Sequence, residues 1–497
     1  MARRIALLLI AIGVARIVST YWILNHTIDE IGFISCGLEW VTAHTYTYQP
    51  EQPPLSHAAA GIGAWLAGAH NVSRAELPYK GPDILYRSPS YYRTLAAARA
   101  GELPFFIGAA LVVWLWARRL HGNLAALAAV LLFTSMPVVL GHAGLATTDI
   151  SLCATLPAAL YAFLLWIENP GTKRSVLLGL AIAAGVLSKF SFLLYFPVSV
   201  LVIVLIRRKW FLRIRPPIMV AAVAVFVIWA GYWFTVAPLV QGLHDLLEHS
   251  RQGHPSYLFG EVRRFGSWYF FPVVLAYKTP LAFLALAAIA FIWLRRTPRE
   301  QWIPWACAAA ILVSAMPSTI NLGVRHIIPI YPLLAIPAGL ALARLIESTA
   351  RAPRILGGVL VLWQLAASIW IHPDYIAYFN ELARGRPELV RNDSDLDWGQ
   401  AVNELVRSLR ARGINRIGWG GVTNADVNYH GAVGWYQASK WERTTGWIAV
   451  NATERFQSDF KMPDPSTPRP WAWLDPYQPV ERVGHGAMLL YYIPPDH

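Results

Sequence analysis

Charge is the scarcest property of this chain. Asp, Glu, Lys and Arg make up 14% of its 497 residues, against roughly a quarter in a soluble domain. A surface of that size cannot be kept in water with so few charges, which excludes an ordinary soluble enzyme. Cysteine is almost as scarce. Cys36, Cys153 and Cys307 lie far apart, and two of them fall inside apolar blocks, which excludes a disulfide framework and a cysteine zinc site. No internal repeat is visible, so nothing suggests the inverted halves of a secondary transporter. Acidic residues are in deficit, with 42 Lys and Arg against 29 Asp and Glu and a net charge of +13. The basic residues sit in short loops between apolar blocks, which favours membrane topology over nucleic acid as their explanation.

Apolar residues are abundant, at 56% of the chain with a mean hydropathy of +0.40. They arrive in runs of roughly 18 or more, the length that crosses a hydrocarbon layer. The run 5–24 follows Met-Ala-Arg-Arg but lacks an A-x-A cleavage pattern, so it reads as an uncleaved first helix. Hydropathy predicts about eleven spans. They are 5–24, 103–119, 124–141, 150–168, 175–188, 191–207, 217–235, 272–294, 302–317, 326–345 and 354–371. Basic pairs mark alternate connections: Arg3-Arg4, Arg118-Arg119, Lys173-Arg174, Arg207-Arg208-Lys209 to Arg215, Arg295-Arg296, and Arg344 to Arg354. Placing these in the cytoplasm puts the other loops and the C-terminal part outside. The expectation is a multi-pass bacterial inner-membrane protein with a cytoplasmic N-terminus and a periplasmic C-terminal domain.

Two outer loops are too long to be mere connections, 25–101 and 237–271. With them, residues 1–375 form an all-α polytopic bundle. Residues 376–497 are soluble in composition. A helix-like stretch Ala401–Arg412 and strand-like runs Arg416–Trp419, Trp447–Val450 and Ala487–Ile493 predict a small α/β domain.

Chemistry-bearing residues collect on the outer side. Asp29 and Glu30 follow the first span directly, where partial desolvation suits a carboxylate to take a proton from a hydroxyl. The competing reading is a helix-end charge in the headgroup region. Glu51 sits in Tyr48-Gln-Pro-Glu-Gln-Pro-Pro-Leu55, whose prolines stiffen the backbone, and His44 and His57 flank it as candidate metal partners. A divalent cation (Mg, Mn or Zn) is therefore open as an assistant. Asp149 ends His142-Ala-Gly-Leu-Ala-Thr-Thr-Asp149 and fits both a helix cap and a supporting catalytic role. Lys189, Lys278, Arg325 and His326 are cations on a face where the positive-inside rule does not expect them. A phosphate headgroup explains them; pairing with the nearby carboxylates is the alternative.

In this order these features resemble the GT-C superfamily of lipid-carrier-dependent glycosyltransferases, in the branch of protein O-mannosyltransferases and aminoarabinose transferases. The likeness rests on Asp29-Glu30, Glu51-Gln-Pro-Pro-Leu55, Asp149, Leu187-Ser-Lys189-Phe-Ser, Ser256-Tyr257-Leu-Phe-Gly260-Glu261 and Phe271-Pro272 with Lys278-Thr-Pro280. Gly323-Val-Arg325-His326-Ile-Ile-Pro329, Tyr375-Ile-Ala-Tyr378-Phe379-Asn380-Glu381 and Asp393-Ser-Asp395-Leu-Asp397-Trp398-Gly399-Gln400 extend it. The resemblance implies a GT-C-like fold and inverting transfer of a hexosyl or pentosyl group from a polyprenyl-phosphate carrier to an envelope lipid, glycan or protein. It implies Asp29 as the base beside Glu30, with Lys189 and Arg325 on the carrier phosphate and Lys278 and His326 near them. Tyr48, Glu51, Tyr257 and Glu261 are expected at the substrate. Gln52 stands where aminoarabinose transferases have Lys, which argues against aminoarabinose and a lipid A acceptor. Rival readings are a transporter or flippase of an anionic lipid-linked substrate and a non-catalytic subunit of an envelope-assembly complex.

Overall fold

A computed structural model describes residues 1–207, 218–391, 393–421, 423–432, 434–457 and 468–495. The basic run Arg208 to Arg215 lies outside the described residues. Helices dominate as far as Trp370. The longest, Leu103–Thr134, starts with Pro104 in its first turn and carries one non-helical break at Gly122. The break divides it into two helices, which correspond to the predicted span 103–119 and to the first part of the predicted span 124–141. Ile330–Glu347 packs along it and is buried over nearly its whole length. Asp149–Glu168 lies against the same helix. Alanines 109, 110, 125, 126 and 129 on the long helix, with Ala335, Ala338 and Ala341 opposite, are fully or almost fully buried. Small side chains let these backbones approach closely, which is how helices associate where lipid removes the hydrophobic driving force.

Among the described residues, four helices are long and apolar enough to cross a membrane. They become five if Phe270–Lys278 and Leu281–Leu294, bent by 114°, form one broken span. The other predicted spans fall on shorter helices: Ala2–Val18, Thr172–Ser188, Phe192–Ile206, Ile218–Gly231 and Ile303–Ala315. Hydropathy counted apolar runs, whereas several of these helices stop at a proline, a basic residue or a turn before reaching full spanning length. The chain is a multi-pass membrane protein.

Loop 25–101 is folded, mainly as the helices Glu30–Thr42, Pro54–Leu66 and Tyr91–Ala100, around its own apolar cluster of Ile34, Leu38, Ala64, Leu85 and Leu95. Loop 237–271 holds the helix Ala237–Gln252 and a hairpin of β1 (Ser256–Leu258) and β2 (Glu261–Arg263). Beyond residue 400 come the helix Val402–Ala411 and strands β3 (Ile417–Gly420), β4 (Trp435–Gln437), β5 (Gly446–Asn451), β6 (Glu481–Val483) and β7 (Met488–Ile493). They form one sheet in the order β4-β3-β5-β7-β6. β3 runs parallel to both β4 and β5, and β7 is antiparallel to β5 and β6. The short strands β4 and β6 lack the long apolar alternation that reveals a strand in sequence.

Candidate active site

The turn that carries Asp29 is fastened from two sides. Arg99, wholly buried, donates to the carbonyls of Leu24 (3.1 Å) and Asn25 (2.9 Å). From the other side, Ile28 N donates to Trp398 O at 3.0 Å, and Asn25 bridges Gly399 O and Val402 N. First loop and distant C-terminal segment thus fix one turn, and Asp29 opens the helix that follows it.

Asp29 and Glu30 have opposite surroundings. Glu30 is fully buried. Its two oxygens accept from Arg99 Nε (2.8 Å) and Nη2 (2.9 Å) and from the backbone N–H of Ala146 (2.9 Å) and Thr27 (2.8 Å). Burial pushes its pKa up, but the Arg99 charge and these donors outweigh it and hold the carboxyl below its usual range. A carboxylate so saturated locks the turn and has no access to an acceptor, which corrects the expectation that Glu30 shares the chemistry. Asp29 keeps 34% of its side chain accessible and meets Arg325 Nη1 at 3.2 Å. The surrounding protein desolvates it and raises its pKa, opposed by the Arg325 charge.

Arg325 follows Gly323, whose φ of +127° lies outside what other residues adopt readily. A Cβ there would fall 2.6 Å from Asp395 Oδ1, and that same oxygen accepts from Val324 N at 2.9 Å. The glycine lets the chain pass close over the carboxylate and sends Arg325 across the Trp398 ring, 4.4 Å from its centroid. Arg325 Nε is buried and finds no hydrogen-bond partner among the described residues. A guanidinium N–H is a strong donor to an anion.

The third element is the start of the helix Asp149–Glu168. Asp149 accepts from Lys189 Nζ at 2.6 Å and from the Thr147 hydroxyl at 3.1 Å, and His142 Nδ1 lies 3.5 Å away. The Asp149 charge acts on both Asp29 and Arg325. Lys189 is in turn felt at His326. The Asp29–Arg325 and Asp149–Lys189 pairs, drawn from four distant points of the sequence, therefore lie within electrostatic reach of each other. Charge pairing, the bland reading of these cations, holds for both, but the pairs are linked and partly open. His326 itself is turned toward the Phe271 ring, 6.2 Å between centroids, and its carbonyl accepts from the Tyr195 hydroxyl.

Other expected residues lie elsewhere. Lys278 is buried, donating to the carbonyls of Ile376 (2.7 Å) and Asp395 (2.5 Å), with Phe379 4.2 Å from its ammonium. It clamps the segment 376–395 and does not join these pairs, because backbone carbonyls supply the pairing that its exposed position in sequence had seemed to lack. The Tyr48 hydroxyl donates to Val72 O, while its N–H and that of Thr47 bind the Glu39 carboxylate. Glu51 is half-buried and raised in pKa by that burial. Tyr257 is buried in β1, its carbonyl taken by Arg391. Glu261 is exposed and paired with Arg263.

The metal trio does not assemble. His44 packs on the Trp233 ring at 4.3 Å. His57 is buried between Phe33 and Tyr46, with Nδ1 2.5 Å from the Tyr46 hydroxyl. Burial lowers its pKa to about 3. Among the described residues no three His, Cys, Asp or Glu side chains gather in a metal-holding group.

Sequence reasoning gave no role to several residues around these pairs: Arg99, Trp398, and the cluster in which Arg391 Nη2 meets Asp393 at 3.1 Å and Arg391 Nε meets Asp395 at 3.5 Å. The alternating acids of Asp393-Ser-Asp395-Leu-Asp397 were the available signal.

Residues 96–233 match the family model of dolichyl-phosphate-mannose-protein mannosyltransferase. In fold the chain is similar to ArnT from Cupriavidus metallidurans bound to undecaprenyl phosphate, with 15% identity, 99% of each chain covered and a TM-score of 0.54. The apo state of the same protein gives 16% identity, the same coverage and a TM-score of 0.52. No curated protein matches in sequence. The chain therefore shares the fold of ArnT and, over residues 96–233, matches the dolichyl-phosphate-mannose-protein mannosyltransferase model.

Proposed function

We propose that the protein is a membrane glycosyltransferase that moves a sugar from a polyprenyl-phosphate carrier to an envelope acceptor at the periplasmic face, inverting the anomeric centre. One observation carries this reading. A partly accessible carboxylate, Asp29, lies 3.2 Å from the Arg325 guanidinium, with the Asp149–Lys189 pair within electrostatic reach of both. The chain's similarity to an ArnT structure holding undecaprenyl phosphate supports the donor class.

In the reaction, an acceptor hydroxyl gives its proton to Asp29 as its oxygen bonds to the anomeric carbon. The bond from that carbon to the phosphate oxygen breaks, and the electron pair leaves with the polyprenyl phosphate. Arg325 and Lys189 neutralise the phosphate as its charge grows, the term that usually dominates such steps. Asp149 holds Lys189 in place, and the Thr147 hydroxyl holds Asp149. Hexosyl and pentosyl donors, and lipid, glycan and protein acceptors, remain alternatives for the same machinery. In this reading the N-terminus is cytoplasmic and residues 376–497 stand outside, as the basic loops require.

The test is a radiolabelled polyprenyl-phosphate sugar incubated with purified protein in lipid. The expected result is transfer or slow hydrolysis by the parent and loss of both in Asp29→Asn. Translocation without transfer would make the protein a carrier, and equal activity in the variant would remove Asp29 from the base role. Because burial raises the Asp29 pKa, the acid limb of the pH–rate profile should lie above the range of an ordinary aspartate.

A further inference from the structure

A second site lies in the C-terminal sheet. The parallel strands β4, β3 and β5 all end at the same edge. β3 runs out into Gly421, β4 into Ala438 and Lys440, and β5 into the short helix Ala452–Gln457 that carries Glu454. These three exits line a cavity of about 320 Å³. Carboxyl ends of parallel strands are where open α/β sheets hold ligands, because the diverging connections leave a crevice there.

Two indoles shape the cavity. Trp471 is its buried floor, with only 1% of its surface accessible. Its backbone is in the left-handed region at φ +61°, a conformation that is unfavourable for a bulky residue and that clusters at functional sites. The ring lies over Gly420, where a Cβ would come within 2.3 Å of it. Its Nε1 donates to Glu454 Oε1 at 3.1 Å, and its backbone N–H donates to Lys440 O at 2.6 Å. The ring is thus fixed in position and orientation. Trp441 is the opposite case, lining the same cavity with 53% of its surface exposed and the Lys440 ammonium 5.6 Å from its ring centroid. Around the indoles stand the Gln437 amide, the Glu454 carboxylate and the Lys440 ammonium.

This lining matches one ligand chemistry closely. A sugar ring has C–H faces that stack on the negative face of an indole, and a belt of hydroxyls that need both donors and acceptors. A purely apolar ligand would leave the exposed Gln437 amide without use, and 320 Å³ suits one or two rings. We propose that this cavity binds a saccharide, stacked on Trp441 above the Trp471 floor with hydroxyls bonded to Gln437 and Glu454. The site goes beyond sugar transfer at Asp29 and does not depend on it. It is nevertheless mechanically joined to the Asp29–Arg325 pair. Thr453, next to Glu454, accepts from Asp393 N at 3.1 Å and donates its N–H to Asp397 at 3.3 Å, in the segment whose Trp398 supports Arg325.

Saturation-transfer NMR on the full chain in lipid nanodiscs tests this with glucose, galactose, mannose, N-acetylglucosamine, arabinose and glucuronate as probes. At least one should bind. Trp441→Ala should weaken binding at least ~10-fold, and Gln437→Leu should weaken it while leaving thermal unfolding unchanged. Because Trp441 and Gln437 are exposed, neither substitution threatens the fold. Asp29→Asn should bind the same sugar with parent affinity. No binding by any probe, or parent-like binding by Trp441→Ala, overturns the proposal. Loss of binding in Asp29→Asn would assign the signal to the transfer site and overturn it equally.

Discussion

The site around Asp29 and the two charge clusters behind it use the same residue types in different ways. At the proposed site, Asp29–Arg325 and Asp149–Lys189 lie within electrostatic reach of each other, and Asp29 keeps a third of its side chain accessible. Behind it, Glu30–Arg99 is sealed, with each carboxylate oxygen accepting two hydrogen bonds, and Lys278 is held by two carbonyls and an aromatic ring. Burying a charge is tolerable only when partners replace its water. The sealed clusters meet that condition within the protein. The Asp29–Arg325 pair meets it only in part, which is what the proposed donor site would require of it.

The sharpest way to break this comparison is to neutralise neighbours. Asp29→Asn should fold as the parent does and lose transfer by about 10²–10⁴-fold, the usual contribution of a positioned base. Glu30→Gln should do the reverse, costing about 3–5 kcal/mol by leaving Arg99 buried without its counter-charge. Thermal unfolding alongside single-turnover transfer reads both. If Glu30→Gln proved stable and inactive, Glu30 would belong to the chemistry after all.

A smaller effect separates the two lysines. Lys189→Met should weaken donor binding by about 10–100-fold, the worth of one charge-assisted hydrogen bond of roughly 1.5–3 kcal/mol. Lys278→Met should lower the unfolding temperature and leave donor affinity unchanged. Donor titration with a non-hydrolysable polyprenyl phosphonate reads this directly. Equal losses of donor affinity in the two variants would erase the distinction between the proposed site and the sealed clusters.

Sequence carried part of this distinction. Hydropathy and basic loops located the helices, and the acid and base residues of the proposed site were all visible as charges at helix ends. The runs Trp447–Val450 and Ala487–Ile493 became β5 and β7 because a short continuous apolar run bounded by turn residues needs no tertiary partner to be read. Which charges were sealed was illegible. The partner of Glu30 is Arg99, and those of Lys278 are carbonyls at 376 and 395, contacts made only by the folded chain. The metal trio failed for the same reason, since proximity along the loop said nothing of the aromatic rings that take His44 and His57.

The smallest effect concerns Asp397, which lies between the two regions. It is buried, accepting from Gly399 N at 3.1 Å and Thr453 N at 3.3 Å. Burial raises its pKa to about 7 against those donors. In the unfolded chain the group titrates near the ordinary aspartate value of 3.8. Between these values the native protein keeps a proton that the unfolded chain has released, so stability falls as pH rises. The contribution is fully present below about pH 4 and is lost as pH passes about 7. Between pH 5 and 6.5 the loss should amount to about 2 kcal/mol. Asp397→Asn cannot titrate and should show a correspondingly flatter dependence of unfolding on pH across that window. Parallel profiles for parent and variant would mean that Asp397 stays ionised in the fold, with charge at the joint between the proposed site and the sheet.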